Sequence, residues 1–121
     1  MRTLPDKVTS TTIGGRAIQR DGHGYLVDPE DWDEAVAQHF ALEEGVELTA
    51  EHWEILTFMR AFLAEHGVAP DARFVFRFLA ARHGESQSEA NRRFFSLFPY
   101  GYVKQACKIA GMRQPRAWST G

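Results

Sequence analysis

Cysteine is almost absent from this sequence, because Cys107 is the only one among 121 residues. A single thiol cannot form an internal disulfide, and without a CxxC pair it cannot build a zinc site from thiolates. Proteins without disulfides are typical of reducing compartments. The sequence therefore predicts a cytoplasmic protein, and it gives no reason to expect a metal or a cofactor.

Long apolar runs and a strong charge of either sign are also missing. No apolar stretch approaches the roughly 18 residues of a membrane span, and the N-terminal segment lacks the apolar core of a secretory signal. The formal net charge is −2, which argues against a protein built mainly to neutralise phosphates. We therefore expect no membrane partner, and a nucleic acid is the less favoured one.

Length and hydrophobic content predict one folded domain over residues 1–121. Hydrophobic residues make up 44% of the chain, which is enough for a single core. We expect a flexible lead-in over 1–14, a hairpin with a first helix over 15–45, a helical bundle over 46–111 and a C-terminal arm over 112–121.

One β element is indicated near the N-terminus. The sequence Asp21-Gly22-His23-Gly24 lies between the apolar runs Ala17-Ile18 and Tyr25-Leu26-Val27. Asp-Gly between such runs is typical of a hairpin turn, because glycine adopts positive φ without steric cost. A lone hairpin is only marginally stable in water, so we expect this one to pack on the helices.

The rest of the sequence alternates apolar helical patterns with glycine or proline stops. The predicted segments run over 28–45, 49–67, 70–84, 86–99 and 101–111. The second has a wide apolar face that includes Trp53, Phe58 and Phe62, which predicts the central helix of a bundle. The fold class is therefore α+β but mainly α, with a small hairpin packed on about five short helices.

The residues around Cys107 leave its chemistry open. Lys104 and Lys108 lie three residues before and one after it, and nearby lysines stabilise a thiolate and lower its pKa. A position near a helix C-terminus acts in the opposite direction, and a free cysteine is often a small buried hydrophobe. A reactive and an inert thiol both fit these residues.

Basic residues concentrate in the C-terminal third of the chain, at Arg92, Arg93, Lys104, Lys108, Arg113 and Arg116. Short helices in this region could form a helix-turn-helix. The net negative charge and Pro99, which separates the last two helices, argue against it. A nucleic-acid interface is therefore an alternative rather than the main hypothesis.

Four sequence motifs, taken in their order along the chain, point to one protein family. "DGHGYLVDPEDW", "ELTAEHWEIL", "APDAR" and "SLFPYGYVKQACKIAG" resemble, in this order, the DsrC/TusE family of sulfur-relay proteins. The resemblance covers roughly Ile13 to Pro115. It implies a small β element on a helical bundle, a mobile C-terminal arm, and a sulfurtransferase-type carrier acting in sulfur metabolism or tRNA thiolation. The implied partners are other sulfur-relay or sulfite-reductase-type proteins.

The resemblance also implies the site residues. Cys107 matches the upstream one of two family cysteines, whereas Trp118 stands where the distal cysteine is expected. Lys104, Lys108, Arg113 and the Arg73 of "APDAR" are the implied thiolate-stabilising or anion-binding residues. Trp118 is a candidate anchor for partner docking, because tryptophan often contributes much of the binding energy of an interface.

Two departures from the family pattern bear on function. Tyr102 and Val103 stand where the family usually has Pro-Ala, and Trp118 cannot carry a persulfide. A single cysteine can still exchange sulfur with partners through a persulfide or a mixed disulfide, without an internal resolving thiol. We therefore expect a sulfur-relay protein that holds sulfur on Cys107. The alternative is a regulatory or adaptor protein, with Cys107 as redox sensor or filler, which docks on family partners or on DNA.

Overall fold

A computed structural model describes residues 8–113 of the chain. It contains strands β1 (Thr9–Ile13) and β2 (Arg16–Arg20), helices α1 (Glu34–Glu43), α2 (Ala50–His66), α3 (Ala72–His83) and α4 (Gln87–Leu97), and a π-helix (Tyr102–Cys107). The two strands form an antiparallel sheet. The predicted class, α+β but mainly α, is confirmed. None of the helices in 8–113 combines the length and the apolar character that a bilayer crossing needs.

The hairpin lies earlier in the chain than predicted. Gly14 and Gly15 form its turn, with φ of 57° and 80°, and Ile13 pairs with Arg16 next to it. Positive φ at both central residues matches the tight turn that suits the twist of a hairpin. The prediction of a flexible lead-in over 1–14 is therefore wrong for residues 9–13. The threonine-rich strand looked unstructured because only Ile13 in it is buried.

The predicted Asp21–Gly24 turn exists, but it closes a loop after β2. The Asp21 carboxylate accepts hydrogen bonds from the backbone N–H of His23 at 2.8 Å and of Tyr25 at 3.0 Å. The loop returns the chain to Arg20, which bridges to Leu26. Its consequence is that Tyr25 and Leu26 enter the core, at 4% and 1% exposure.

The first predicted helix is split in two. Asp28 caps a short 3₁₀ turn, Pro29–Asp31, and Asp33 then caps α1 by accepting from Val36 N at 2.9 Å. Trp32 lies between them in an extended conformation, with ψ of 139°. Asp28 and Asp33 each cap a helix of their own. Trp32 therefore lies in the extended link between the two helices and is not part of either.

The bounds of α2 and α4 lie within two residues of the predicted segments 49–67 and 86–99. Thr49 precedes α2, and His52 acts as the partner in its capping box, its Nδ1 accepting from Thr49 N at 3.0 Å. Gly67 ends α2 in the left-handed conformation. Ser86 and Glu89 form a complete capping box at the start of α4.

The C-terminal helical segment lies inside the core. Its side chains at Tyr102, Val103, Gln105, Ala106, Cys107, Ile109, Ala110 and Met112 are all 5% exposed or less. Met112, which the prediction assigned to the C-terminal arm, belongs to this core, and its N–H bonds to Cys107 O at 3.0 Å. The arm beyond Arg113 lies outside the described residues.

Candidate functional site

Cys107 ends a π-helix rather than an ordinary α-helix. The backbone N–H groups of Gln105 and Ala106 both bond to Gly101 O, at 3.2 and 3.3 Å. The bonds from Met112 N to Cys107 O and from Gly111 N to Lys108 O, with Gly111 in the left-handed conformation, then end the helix in a Schellman motif. Short π segments are rare and frequently occur at functional sites. The predicted helix over 101–111 is present, but its winding differs.

The Cys107 thiol is fully buried, at 0% exposure. Burial raises its pKa from the ordinary 9.0 to about 12, and the hydrogen-bonding Tyr102 side chain opposes only part of this rise. A rise of about three pH units leaves about a thousandfold less thiolate at neutral pH. Desolvation is the dominant cause in the folded state, and the role of Lys104 and Lys108 in stabilising a thiolate stays a prediction.

Two buried tyrosines pack against the π-helix. The Tyr25 hydroxyl donates to Val103 O at 2.9 Å, and the Tyr102 hydroxyl donates to Pro70 O. Burial, with a smaller effect of negative charge at Cys107, raises the pKa of Tyr25 to about 12. The same causes raise the pKa of Tyr102 above its ordinary value. Both phenols are therefore neutral at physiological pH.

A surface groove of about 840 Å³ runs along the π-helix. We call it the lysine groove, and its lining residues are His23, Tyr25, Glu44, Tyr100, Val103, Lys104 and Lys108. Val103 lies one turn before Cys107 on the same side of the helix. Tyr25 and Val103 are nearly buried, so they form the floor of the groove, and the thiol lies out of contact with solvent.

Lys104 and Lys108 are thus brought together, although neither is bonded to the thiol. Lys104 is exposed. Lys108 Nζ lies 3.4 Å from the Glu44 carboxylate and 5.1 Å from the centre of the Tyr25 ring. The two ammonium groups therefore add positive charge to the mouth of the lysine groove rather than to the sulfur.

The other predicted site residues are placed elsewhere. Arg73 is exposed in the first turn of α3, where it pairs with Asp71 at 3.4 Å. Arg113 is exposed after the C-terminal segment. Neither arginine lines the lysine groove. Trp118, the predicted docking anchor, lies outside the described residues.

Sequence reasoning missed a clamp that holds the end of the Cys107 segment. Trp32 Nε1 donates to Ile109 O at 2.9 Å. The Arg60 guanidinium lies 4.7 Å from the centre of the Trp32 ring and donates to Ala110 O at 3.2 Å and Pro29 O at 2.9 Å. Burial lowers the pKa of Arg60. An arginine on the apolar face of α2 was the signal that could have revealed this clamp.

Gly111 completes the clamp by its lack of a side chain. Its φ is 77°, and a Cβ atom there would lie 2.4 Å from Trp32 Cδ1. No side chain fits at such a distance. The indole, the guanidinium and the glycine together fix the segment that directly follows Cys107.

Comparison with known proteins agrees with this architecture. The family model described as "DsrC like protein" matches residues 12–117. Sulfurtransferase TusE of Yersinia pseudotuberculosis is 43% identical over 101 residues, which cover 84% of this chain and 93% of the relative. Sulfurtransferase TusE of Salmonella paratyphi A is 42% identical, with 84% and 92% covered.

Solved structures show the same fold. The oxidized gamma-subunit of the dissimilatory sulfite reductase (DsrC) from Archaeoglobus fulgidus aligns with a TM-score of 0.78 at 33% identity, covering 90% of this chain and 98% of that one. Allochromatium vinosum DsrC, solved by NMR, gives the same TM-score and identity, covering 92% and 98%. The buried helical segment with Cys107 and the clamp around it are thus set in the fold of a known family, and the chain belongs to the DsrC-like proteins.

Proposed function

We propose that this chain is a sulfur-relay protein, a sulfurtransferase-type carrier that holds sulfur on Cys107 and passes it between partner proteins. The observation that carries the proposal is its identity of 42–43% to proteins named Sulfurtransferase TusE, over 84% of the chain. Cys107 is the one residue in the sequence that can carry a persulfide.

The chemistry needs one cysteine and no oxidant. The Cys107 thiolate attacks the outer sulfur of a donor persulfide R–S–SH, the donor S–S bond breaks, and a new S–S bond forms on Cys107. The donor leaves as R–S⁻ and takes up the proton that Cys107 lost. An acceptor thiolate then removes the outer sulfur in the same way. With a partner disulfide, the same attack gives a mixed disulfide.

Transfer requires the site to open, because the buried and protonated thiol cannot reach a donor in the closed form. The Tyr25 and Tyr102 side chains lie near the thiol, and the segment held by Trp32 and Arg60 follows it directly in the chain. These are the parts that we propose move when the site opens. Solvent entry on opening removes the desolvation that raises the thiol pKa. Opening therefore exposes the Cys107 sulfur to the donor and lowers the pKa of its thiol at the same time.

The lysine groove is the proposed approach for the donor. Lys104, with Lys108 beside its partner Glu44, attracts an anionic persulfide or an acidic partner surface to the groove whose floor, Tyr25 and Val103, adjoins the buried Cys107. Arg113 and Arg73, outside this groove, are proposed to contribute only long-range attraction.

The proposed partners are other sulfur-relay or sulfite-reductase-type proteins, in the cytoplasm. The Archaeoglobus neighbour is itself described as a subunit of the dissimilatory sulfite reductase. Trp118 is the proposed docking anchor. Neither residues 8–113 nor the relatives named above provide support for a nucleic-acid partner.

Mass spectrometry of the intact protein tests the proposal. After incubation with glutathione persulfide, the folded protein should gain one sulfur atom, return it to an added thiol acceptor, and gain nothing as the Cys107→Ser variant. Urea-unfolded protein is the control for thiol competence. An adduct on unfolded but never on folded protein, even over long incubation, would overturn the relay role and favour an adaptor.

A further inference from the structure

A second groove, on the outer side of α2, has no part in the relay chemistry. It lies between α2 and α3, has a volume of about 620 Å³, and is lined mainly by Trp53, Phe58, Ala61 and Phe78, with Glu54 and Arg82 at its edge. The Phe58 and Phe78 rings stack with centroids 4.5 Å apart. We call it the outer groove.

The outer groove lies on the side of α2 that faces away from the core. Ile55 and Met59 are fully buried, whereas Thr57 and Ala61, two positions further along the helix, are exposed. The wide apolar face that predicted a central helix is therefore only half covered. An open apolar surface of this kind is typical of a binding site.

The C-terminal segment of the described chain is tied to α2, the helix that lines this groove. Arg60, which borders Ala61, donates to Ala110 O at 3.2 Å, and so fixes the C-terminal segment against α2. Trp53 lies seven residues before Arg60, which places it on the same side of the helix and roughly 10.5 Å along the axis. The root of the C-terminal segment and the aromatic end of the outer groove thus share one flank of α2.

The rest of the chain has the length and the composition to fill it. Eight residues follow Arg113, and their one aromatic side chain is Trp118. Trp118 lies five positions after Arg113, and five extended residues span up to roughly 17 Å. Glu54 at the groove edge is already paired with Arg82 at 3.2 Å and with His83 at 3.1 Å, so the indole of Trp118 rather than the charge of Arg116 is the group that suits this groove.

We propose that Trp118 docks its indole into the outer groove of its own chain, between Trp53 and Phe78. The contact does not require sulfur transfer. The effect of this contact on partner binding does rest on the proposed function. A docked Trp118 side chain is not available to a partner protein. A partner that binds the C-terminal segment must therefore displace Trp118 from the outer groove.

NMR spectroscopy of the full chain tests this contact. We expect nuclear Overhauser effects from the Trp118 ring to the Ala61 methyl group and the Phe78 ring. The Trp118 contact to Phe78 should be lost in Ala61→Arg, which fills the groove, and kept in Ala81→Arg, which changes an exposed alanine of α3 that does not line it. Trp118→Ala should shift the Trp53 indole signal and leave the Trp32 signal unchanged.

Two results would overturn the proposal. One is a Trp118 indole signal at its random-coil position that is unaffected by Ala61→Arg. The other is contacts seen only between differently labelled molecules, which would assign the outer groove to a second copy of the chain. Cys107→Ser should leave the contacts intact, so their presence or absence is independent of the persulfide assay.

Discussion

The indole nitrogen of Trp32 donates a 2.9 Å hydrogen bond to the carbonyl oxygen of Ile109. The bond joins the loop before α1 to the turn that follows Cys107, across 77 residues of sequence. Since this turn directly follows a thiol with 0% exposure, we expect the strength of the contact to influence how often Cys107 becomes accessible.

Replacing Trp32 with phenylalanine removes the donor and keeps an aromatic ring. Losing one hydrogen bond to a backbone carbonyl should lower the free energy of unfolding by about 1 kcal/mol. It should also raise the alkylation rate of Cys107 in the folded protein by up to about tenfold, if the segment opens locally. Iodoacetamide labelling followed by mass spectrometry measures the rate. Trp53→Phe, on the outer side of α2, is the matched control and should leave labelling unchanged; an equal increase there would contradict a role for the clamp.

Gly111→Ala tests the fit between the C-terminal segment and Trp32. A Cβ atom would lie 2.4 Å from Trp32 Cδ1, in a backbone conformation with φ of 77°. We expect the free energy of unfolding to fall by about 3 kcal/mol, from backbone strain and overpacking together. Gly45→Ala is a matched control, because φ there is 72° and nothing lies within 4 Å of the added atom.

The control should cost only about 1 kcal/mol, the strain of a left-handed alanine. Urea unfolding monitored by circular dichroism gives both values. Equal losses in the two variants would mean that Trp32 moves aside freely and does not clamp the segment.

Sequence patterns were sufficient for the helices because their signals are local. Thr49, Gly67, Ser86 and Glu89 act on backbone groups within one turn of themselves. The bounds of α2, α3 and α4 therefore lie within two residues of the predicted ones, whereas α1 begins six residues later than predicted. The hairpin was predicted at the wrong position because both Asp21-Gly22 and Gly14-Gly15 are sequences that form tight β-turns. Which of them joins two paired strands depends on packing against the helices.

The environment of Cys107 could not be predicted in the same way. The lysines at 104 and 108 are neighbours in sequence, but the fold sends them to the lysine groove while the sulfur faces the core. The segment around Cys107 is held by contacts from Tyr25, Trp32 and Arg60, which lie between 47 and 82 residues away in the chain. The helix itself was predictable, whereas its wide winding at 102–107 and the polarity around its thiol are set by tertiary contacts.

Alkaline pH should destabilise the fold through Cys107. Its pKa is raised by burial from 9.0 to about 12, so the folded state holds its proton more tightly than the unfolded state does. The stabilisation is fully present below pH 9 and is lost as the pH rises toward 12, at up to about 1.4 kcal/mol per pH unit. Tyr25, whose pKa is raised from 10.0 to about 12 by burial, adds to the loss above pH 10.

Urea titrations between pH 8 and pH 11 measure this dependence. Cys107→Ala should be less stable at pH 8 because it leaves a small cavity. Its free energy of unfolding should nevertheless fall less steeply above pH 9 than that of the natural chain. Parallel slopes for the two proteins would show that the thiol ionises as readily in the folded state as in the unfolded one.

Lys104 should affect the rate of sulfur uptake without affecting the fold. It is exposed at the mouth of the lysine groove and has no packing to lose. Lys104→Gln should slow uptake from an anionic persulfide by about two- to threefold, the effect of about 0.5 kcal/mol from one exposed charge. Higher salt should reduce the difference between the two proteins, because screening weakens exposed charges.

Arg92→Gln is the charge-matched control, because Arg92 is exposed on α4 and does not line the lysine groove. Stopped-flow uptake measured with an anionic persulfide and with a persulfide of no net charge separates attraction from access. The Lys104 effect should appear only with the anionic donor. If Lys104→Gln and Arg92→Gln slow it equally, the approach is governed by the net charge of the protein, and the lysine groove is not the route to Cys107.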